Sequence, residues 1–316
     1  MLQIFNYNAG KGDCIRVRYT GISGMTRNIL IDSGVRQFRL GFESICQSIL
    51  DNHEKIDAIV ISHVDTDHLG GLLYSMQNGT KIGINEVWMN HGRLMWKNTD
   101  LAVKHNDELY TRLKEQNIPV KAAVAGITRE LDGAIVRILW PNEETLYKLF
   151  LGLSGNVLLR NQSDYGYSFE ELMEMPIKGK DSNLNNKASI IMEVEYMGQK
   201  FLFTGDAWSE DILRVVGNNT YDFIKLPHHG SVRNISEEWY KQILCKKYMI
   251  CTDGISHPDK QTIAKLLKWN DEITVYGSTE WWNNMLADGD EKQMEKIHFK
   301  KGEYSWKLPD EKQLIN

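Results

Sequence analysis

The chain has 316 residues, 42% hydrophobic and 25% charged, with a formal net charge of −5. Those proportions describe a globular chain with its own core and exclude a disordered, collagen-like or disulfide-stapled one. No apolar run approaches the roughly 20 residues of a membrane span, and the negative balance disfavours a general electrostatic grip on nucleic acid.

In chain order, residues 2–7, 14–19 and 27–32 read as three strands separated by Gly-bearing turns. Residues 42–53 carry apolar side chains at helical spacing, and 57–62 form a nearly continuous apolar strand of the kind covered on both faces. A helix is expected from Asp67 to about Met76, a strand at 85–90, a helix at 101–116 and a strand at 134–140. Residues 141–187 are polar and rich in Gly and Asn, with helices around 143–151 and 168–174; they read as an insertion or loop near the active site. Beyond it, 189–206 predicts a hairpin turning at Gly198, followed by helix 208–217, strand 223–228, helix 236–244, strand 248–253, helix 259–269, strand 273–278 and a closing hairpin at 296–308. Strands then helices, twice over, predict two mixed sheets packed face to face with helices outside, in one domain spanning 1–316.

The N-terminus lacks a basic segment followed by an apolar one, so it does not read as a secretory signal, and a cytoplasmic location is expected. Cys14, Cys46, Cys245 and Cys251 match no C-x-x-C zinc spacing and are expected to be reduced and buried. His53, His91, His105 and His298 have no motif around them and read as structural or solvated. Trp281, Trp282 and Tyr276 could stack bases, but core packing is the better reading of a lone cluster.

The chemistry concentrates in Ser62-His63-Val64-Asp65-Thr66-Asp67-His68-Leu69-Gly70-Gly71, between an apolar strand and a helix. Four metal-ligating side chains within six residues arise by chance in fewer than about one in a thousand such chains. Imidazoles suit zinc and other first-row ions, and carboxylates suit harder ones. Asp206 ends an apolar strand on Thr204-Gly205, where a carboxylate can bridge two ions. His228 and His229 follow another apolar strand; since adjacent side chains diverge, one is expected to be a ligand and the other not, and the pattern leaves open which.

His63-x-Asp65-x-Asp67-His68 resembles the H-x-H-x-D-H signature of the metallo-β-lactamase-fold hydrolases, with Asp65 in place of the second histidine. That form is similar to the soluble hydrolase domain of ComEC and its stand-alone relatives. Further segments resemble the family in order: Gly10-Lys11-Gly12-Asp13, Leu30-Ile31-Asp32-Ser33-Gly34, Asn186-Lys187-Ala188-Ser189, Leu202-Phe203-Thr204-Gly205-Asp206, His228-His229-Gly230-Ser231 and Gly254-Ile255-Ser256-His257-Pro258. The resemblance implies a four-layer αββα sandwich and two divalent ions, zinc by default with Mn²⁺ or Mg²⁺ as alternatives. One ion would take His63, Asp65 and Asp206; the other would take Asp67, His68, Asp206 and His228 or His229. Where relatives carry a further histidine, this chain has Asn183-Leu184-Asn185-Asn186. Asp13, Asp32 and Asn186 would orient the ligands. Asp67 and His257 would take part in catalysis, His257 by contacting a phosphate or protonating a leaving group. The implied activity is metal-dependent hydrolysis by a metal-activated hydroxide, with a phosphodiester or nucleic acid as substrate. A small-molecule ester, cyclic nucleotide or lactone is the alternative, and an effector role gated by a regulatory protein partner is another.

Overall fold

A computed structural model describes residues 1–96, 101, 103–152 and 163–307. Residues 153–162 of the expected insertion, Ala102 of an expected helix and Leu308 of the expected closing hairpin lie outside the described residues.

The strands run Leu2–Asn6 (β1), Ile15–Thr20 (β2), Thr26–Ile31 (β3), Ala58–Val60 (β4), Val87–Trp88 (β5), Val120–Lys121 (β6), Thr128–Leu131 (β7), Ala134–Trp140 (β8), Ile191–Tyr196 (β9), Gln199–Phe203 (β10), Asn219–Thr220 (β11), Phe223–Lys225 (β12), Ile243–Leu244 (β13), Lys247–Ile250 (β14), Ile273–Gly277 (β15), Ile297–Lys301 (β16) and Glu303–Trp306 (β17). They form a seven-stranded sheet, β17-β1-β2-β3-β4-β5-β6, an eight-stranded sheet, β16-β15-β14-β12-β10-β9-β8-β7, and the small pair β11-β13. In the first sheet, antiparallel pairing of β1 through β3 gives way to parallel pairing from β3 to β6. In the second, β7 through β10 are antiparallel and β10 to β16 parallel.

The alternation in β1 and β8 turns every second side chain inward, as a sheet with one well-packed face requires. Leu2, Ile4, Val17, Ile29 and Val60 from one sheet meet Val136, Met192, Val194, Phe201 and Phe203 from the other in an inter-sheet core. The helices Arg39–Asp51, Thr66–Gln77 and Lys104–Glu115 pack Phe42, Ile49, Leu69, Leu72 and Leu109 onto the outer face of the first sheet. Ser209–Val216 and Lys260–Trp269 pack Ile212, Ile263 and Leu266 onto the outer face of the second. The result is the four-layer αββα sandwich.

Three expectations need correction. The described residues of the expected closing hairpin, 296–307, form none: β16 joins β15 in the second sheet, and β17 crosses to pair with β1 in the first. Gly302, at φ 93°, makes this switch possible. Residues 236–244 are helical only over Trp239–Gln242, because Ile243 and Leu244 leave to pair with β11. The strands β6 and β7 had no counterpart in the sequence reading. Trp281 is buried, Trp282 stacks on Phe299 at 5.0 Å and Tyr276 is buried beside Phe223, so these aromatics serve packing. The four cysteines are buried and unpaired. Among the described residues no helix is long and apolar enough to cross a membrane.

The glycines after His68 are dictated by close approach. A Cβ on Gly71 would stand 2.0 Å from the Ser33 carbonyl oxygen, and one on Gly12 would stand 1.8 Å from that of Asp67. Here the helix Thr66–Gln77 is pressed against the loops after β1 and β3. Ser33 N–H donates to the His68 carbonyl at 2.7 Å, and Ser33 Oγ accepts from Leu72 N–H at 3.0 Å. Gly71→Ala should therefore lower stability by about 1–3 kcal/mol and shift the helix start that carries Asp67 and His68. Urea unfolding checks this: an unchanged midpoint would contradict the close-packing account.

Candidate metal centre

The site forms where the parallel strands end, the usual place for ligands in α/β sheets. Asp32 follows β3, Ser62 and His63 follow β4, Asp206 follows β10, and His228 and His229 follow β12. A hydrogen bond from Ile190 N–H to the Ser62 carbonyl, 2.8 Å, ties the two sheets together beside it.

Asp206, 3% exposed, is the focus. Its Oδ1 lies 3.5 Å from His68 Nε2, and its Oδ2 lies 3.5 Å from His229 Nε2, 3.8 Å from His228 Nε2 and 3.9 Å from His63 Nε2. Each of the four rings is turned by a partner on its other nitrogen. His68 Nδ1 donates to Asp32 Oδ2 at 2.7 Å. His229 Nδ1 faces Asp13 Oδ1 at 3.1 Å and the Cys251 carbonyl at 3.0 Å. His63 Nδ1 faces Ser62 Oγ at 3.0 Å; that hydroxyl spends its own hydrogen on Asp32, 2.7 Å away, and so accepts from His63. His228 Nδ1 faces Asp181 Oδ2 at 3.1 Å and Asn234 Oδ1 at 3.2 Å. With acceptors on every Nδ1, each ring keeps a hydrogen on its outer nitrogen and turns Nε2 toward Asp206, where the raised His68 and His228 carry a second proton.

The expectation that one of His228 and His229 turns away does not hold. Both residues are in the left-handed region, φ 47° and 53°, and both Nε2 atoms lie within 4 Å of Asp206 Oδ2. Two non-glycine residues held there store strain of the kind found at functional sites.

Asp65 and Asp67 line the mouth of the site. Asp65 Oδ2 is 3.8 Å from His63 Nε2 and its Oδ1 accepts from Asn185 Nδ2; Asp67 Oδ2 is 3.1 Å from Lys11 Nζ. Behind the ligands, Lys225 is 1% exposed, donates to the Gly205 carbonyl at 2.8 Å and contacts Asp13 Oδ2. Asp13, His68, Asp206 and His229 bring ligand atoms within 4.8 Å of one another. Both Asp13 oxygens are already engaged, one by His229 and one by Lys225.

Above the cluster opens a cavity of ≈ 730 Å³, lined by Lys11, Asp65, Asp67, Asn185, His228, Arg233 and His257 among others. The His257 ring lies 5.2 Å from that of His228. His105 also lines the cavity, whereas the sequence reading set it aside as structural or solvated. His91 is buried, paired with Asp107 and stacked on Tyr110. The sequence reading also missed Asp181, Asn185, Asn234 and Lys225. Only Lys225 carried a signal, as a charge inside the apolar strand β12.

The charge state is set by mutual compensation. Burial works against the charge on Asp206, but the surrounding imidazoles hold its carboxyl well below the ordinary range. Burial lowers His68, yet Asp206, Asp32 and Asp13 raise it well above a free histidine. His228 is likewise opposed by burial and raised to about 9 by Asp206 and Asp181. Burial and the neighbouring His68 push His63 down to about 4.

Residues 8–136 match the family model for the metallo-beta-lactamase superfamily. The chain has the metallo-β-lactamase fold. It is similar, at 10% identity and a TM-score of 0.42, to the metallo-beta-lactamase fold protein YhfI from Bacillus subtilis, over 97% of this chain and 100% of that one. It is similar at 11% identity and a TM-score of 0.45 to Zn²⁺-bound PqqB from Methylobacterium extorquens, over 96% and 100%. A diphosphatase from the PhnP family is similar at 12% identity and a TM-score of 0.42, over 98% and 99%. No curated protein matches the chain.

The residues fit divalent ions. His63 Nε2, His68 Nε2 and Asp206 Oδ1 are buried and have no hydrogen-bond partner, which is costly unless something occupies the space between them. Imidazole with carboxylate is a donor set for zinc and related ions.

At pH 7 the metal-free His68 and His228 carry protons, since both are raised above 7, and an ion must displace them. Zn²⁺ binding should therefore release protons, and apparent affinity should tighten as pH rises from 6 toward 9. Calorimetry in buffers of different ionisation enthalpy checks this; binding with no proton release would contradict the assigned charge states.

Proposed function

We propose that the chain is a metal-dependent hydrolase of phosphodiester bonds, with nucleic acid as the leading substrate. The observation that carries this reading is the convergence of four imidazole Nε2 atoms on Asp206 at the floor of an open polar cavity. His63, Asp65, Asp67, His68, Asp206, His228 and His229 would hold two divalent ions, zinc by default, with Mn²⁺ or Mg²⁺ suited to the carboxylate share. When bound, such ions supply Lewis-acid polarisation and lower the pKa of a coordinated water.

The chain's own residues account for the rest. Lys11, on the loop between Gly10 and Gly12, brings an exposed ammonium to the cavity mouth beside Asp67. Arg233 contributes a second cation to the wall. These two cations share the wall with Asp65, Asp67, Asp181, Asp206 and Asp259, so an anionic ester is favoured over a neutral one once divalent ions offset the carboxylates. Hydrolysis forms one P–O bond to water and breaks another, and the leaving oxygen needs a proton. His257, on the wall beside His228, is assigned that delivery. Asp32, Asp13 and Ser62 hold three of the four imidazoles in the productive tautomer.

A second reading has its own support. A cavity of ≈ 730 Å³ falls inside the range of about 300–1,000 Å³ typical of small-ligand pockets, so a cyclic nucleotide or other small ester also fits.

The test is an assay of the Mn²⁺- and Zn²⁺-loaded protein on single- and double-stranded DNA and RNA and on a small aryl phosphodiester. Cleavage is expected, and Asp67→Ala should reduce it at least about 100-fold without unfolding the chain. Turnover of the small ester alone would select the second reading. A metal-loaded protein inert on every phosphodiester, or an Asp67→Ala variant as active as the parent, would overturn the proposal.

A further inference from the structure

Asp181 belongs to no motif, yet it is among the most engaged carboxylates at the site. Its Oδ2 accepts from Asn186 Nδ2 at 2.7 Å and from Asn234 Nδ2 at 3.0 Å, and faces His228 Nδ1 at 3.1 Å. Asn234 settles the direction of the last contact. Its amide nitrogen donates to the Asp206 and Ala207 carbonyls, both at 3.1 Å, so the amide oxygen is the atom turned to His228 Nδ1. His228 Nδ1 thus carries a hydrogen toward two acceptors, with Asn186 Nδ2 a longer contact at 3.3 Å that donates to Asp181 instead, and Nε2 is the nitrogen left to take an ion.

The same turn holds a second group. Asn185 Nδ2 donates to Asp65, whose other oxygen lies 3.8 Å from His63 Nε2. His229 is held by a different carboxylate: its ring is 5.2 Å from that of His68, and Asp13 approaches the Nδ1 of both. Asp206 touches both groups: its Oδ1 faces His68 Nε2, and its Oδ2 faces the Nε2 atoms of His63, His228 and His229.

We infer that Asp181 is the positioning carboxylate of His228, and that the adjacent histidines supply one imidazole to each side of Asp206. This inference rests on the metal-dependent reading above and divides its ligands. Two observations on the backbone agree with it. His228 and His229 both hold left-handed backbone, strain of the kind stored at functional sites, and both rings face Asp206. The turn bearing Asp181 is anchored by Trp208 Nε1, which donates to the Asn183 carbonyl at 3.1 Å, and by Trp140 Nε1, which donates to that of Lys187 at 2.6 Å. Such anchoring is what an outer partner needs in order to fix a ligand's orientation.

The test uses the full chain with Zn²⁺ alone and Co²⁺ alone, read by metal content and by the Co²⁺ absorption spectrum. The parent is expected to hold two equivalents. Asp181→Asn should weaken one of them by roughly 10- to 100-fold and leave the other tight, and His228→Ala should remove that same equivalent. His229→Ala should remove the other and leave a different Co²⁺ spectrum. Asp181→Ala should exceed Asp181→Asn; if the alanine variant does not fold, the asparagine variant still decides. Two tight equivalents in Asp181→Asn, or a single equivalent in the parent that His228→Ala leaves intact, would overturn the inference. A parent that binds no ion would overturn the metal-dependent reading along with it. A parent that binds two ions with these responses but cleaves no phosphodiester would leave the inference standing and overturn only the substrate assignment.

Discussion

Everything in this site depends on one buried carboxylate surrounded by imidazoles. Asp206 lies within 4 Å of the Nε2 atoms of His63, His68, His228 and His229. A buried anion without partners is expensive, and so is a buried imidazole nitrogen without one. Here the opposite charges offset part of that cost, with Lys225 and Asp13 forming a second buried charge pair behind them, and the unpartnered His63 Nε2, His68 Nε2 and Asp206 Oδ1 leave the rest for an ion. The arrangement holds together only because every ring is gripped from outside, by Asp32, Asp13, Ser62 and Asp181.

The fold serves that cluster. Two sheets meet across an apolar core, and the ends of β3, β4, β10, β12 and β14 each deliver one part of the site. The segment 163–187 supplies the remainder. It is strapped to the helix Lys260–Trp269: Asp164 accepts from the backbone N–H of Lys260 and Gln261, Tyr165 donates to the Pro258 carbonyl, and Lys260 donates to that of Tyr167. These bonds carry Asp181, Asn185 and Asn186 to the rim, where they hold His228 and Asp65.

What could be read from the sequence was local. The run from His63 to His68 declared its chemistry because its ligands are neighbours in the chain. Gly70 and Gly71 fall inside the helix expected from Asp67 to about Met76, and their missing Cβ atoms let that helix press on the Ser33 and Gly34 backbone. The strand-end motifs around Asp32 and Asp206 were visible for the same reason: an apolar run stops abruptly on a carboxylate. What depended on distant pairing was not visible. The strands β16 and β17 are adjacent in sequence and look like a hairpin, yet they belong to different sheets. The short β6 and the half-exposed β7 lie at sheet edges with little apolar pattern to announce them. Asp181 sits in a polar stretch with no periodicity, and its role comes from contacts with residues 47 and 53 positions away. The convergence of His228 and His229 was hidden by a backbone conformation that non-glycine residues rarely adopt.

The most direct test of the central claim is anomalous diffraction from crystals of the Zn²⁺-loaded protein, recorded at the zinc edge. The account predicts anomalous density against the Asp206 carboxylate, with imidazole nitrogens at about 2.0–2.1 Å from the ions and the outward Nδ1 contacts retained. Zinc bound only at the protein surface, or a filled site in which the four histidines have swung away from Asp206, would contradict it.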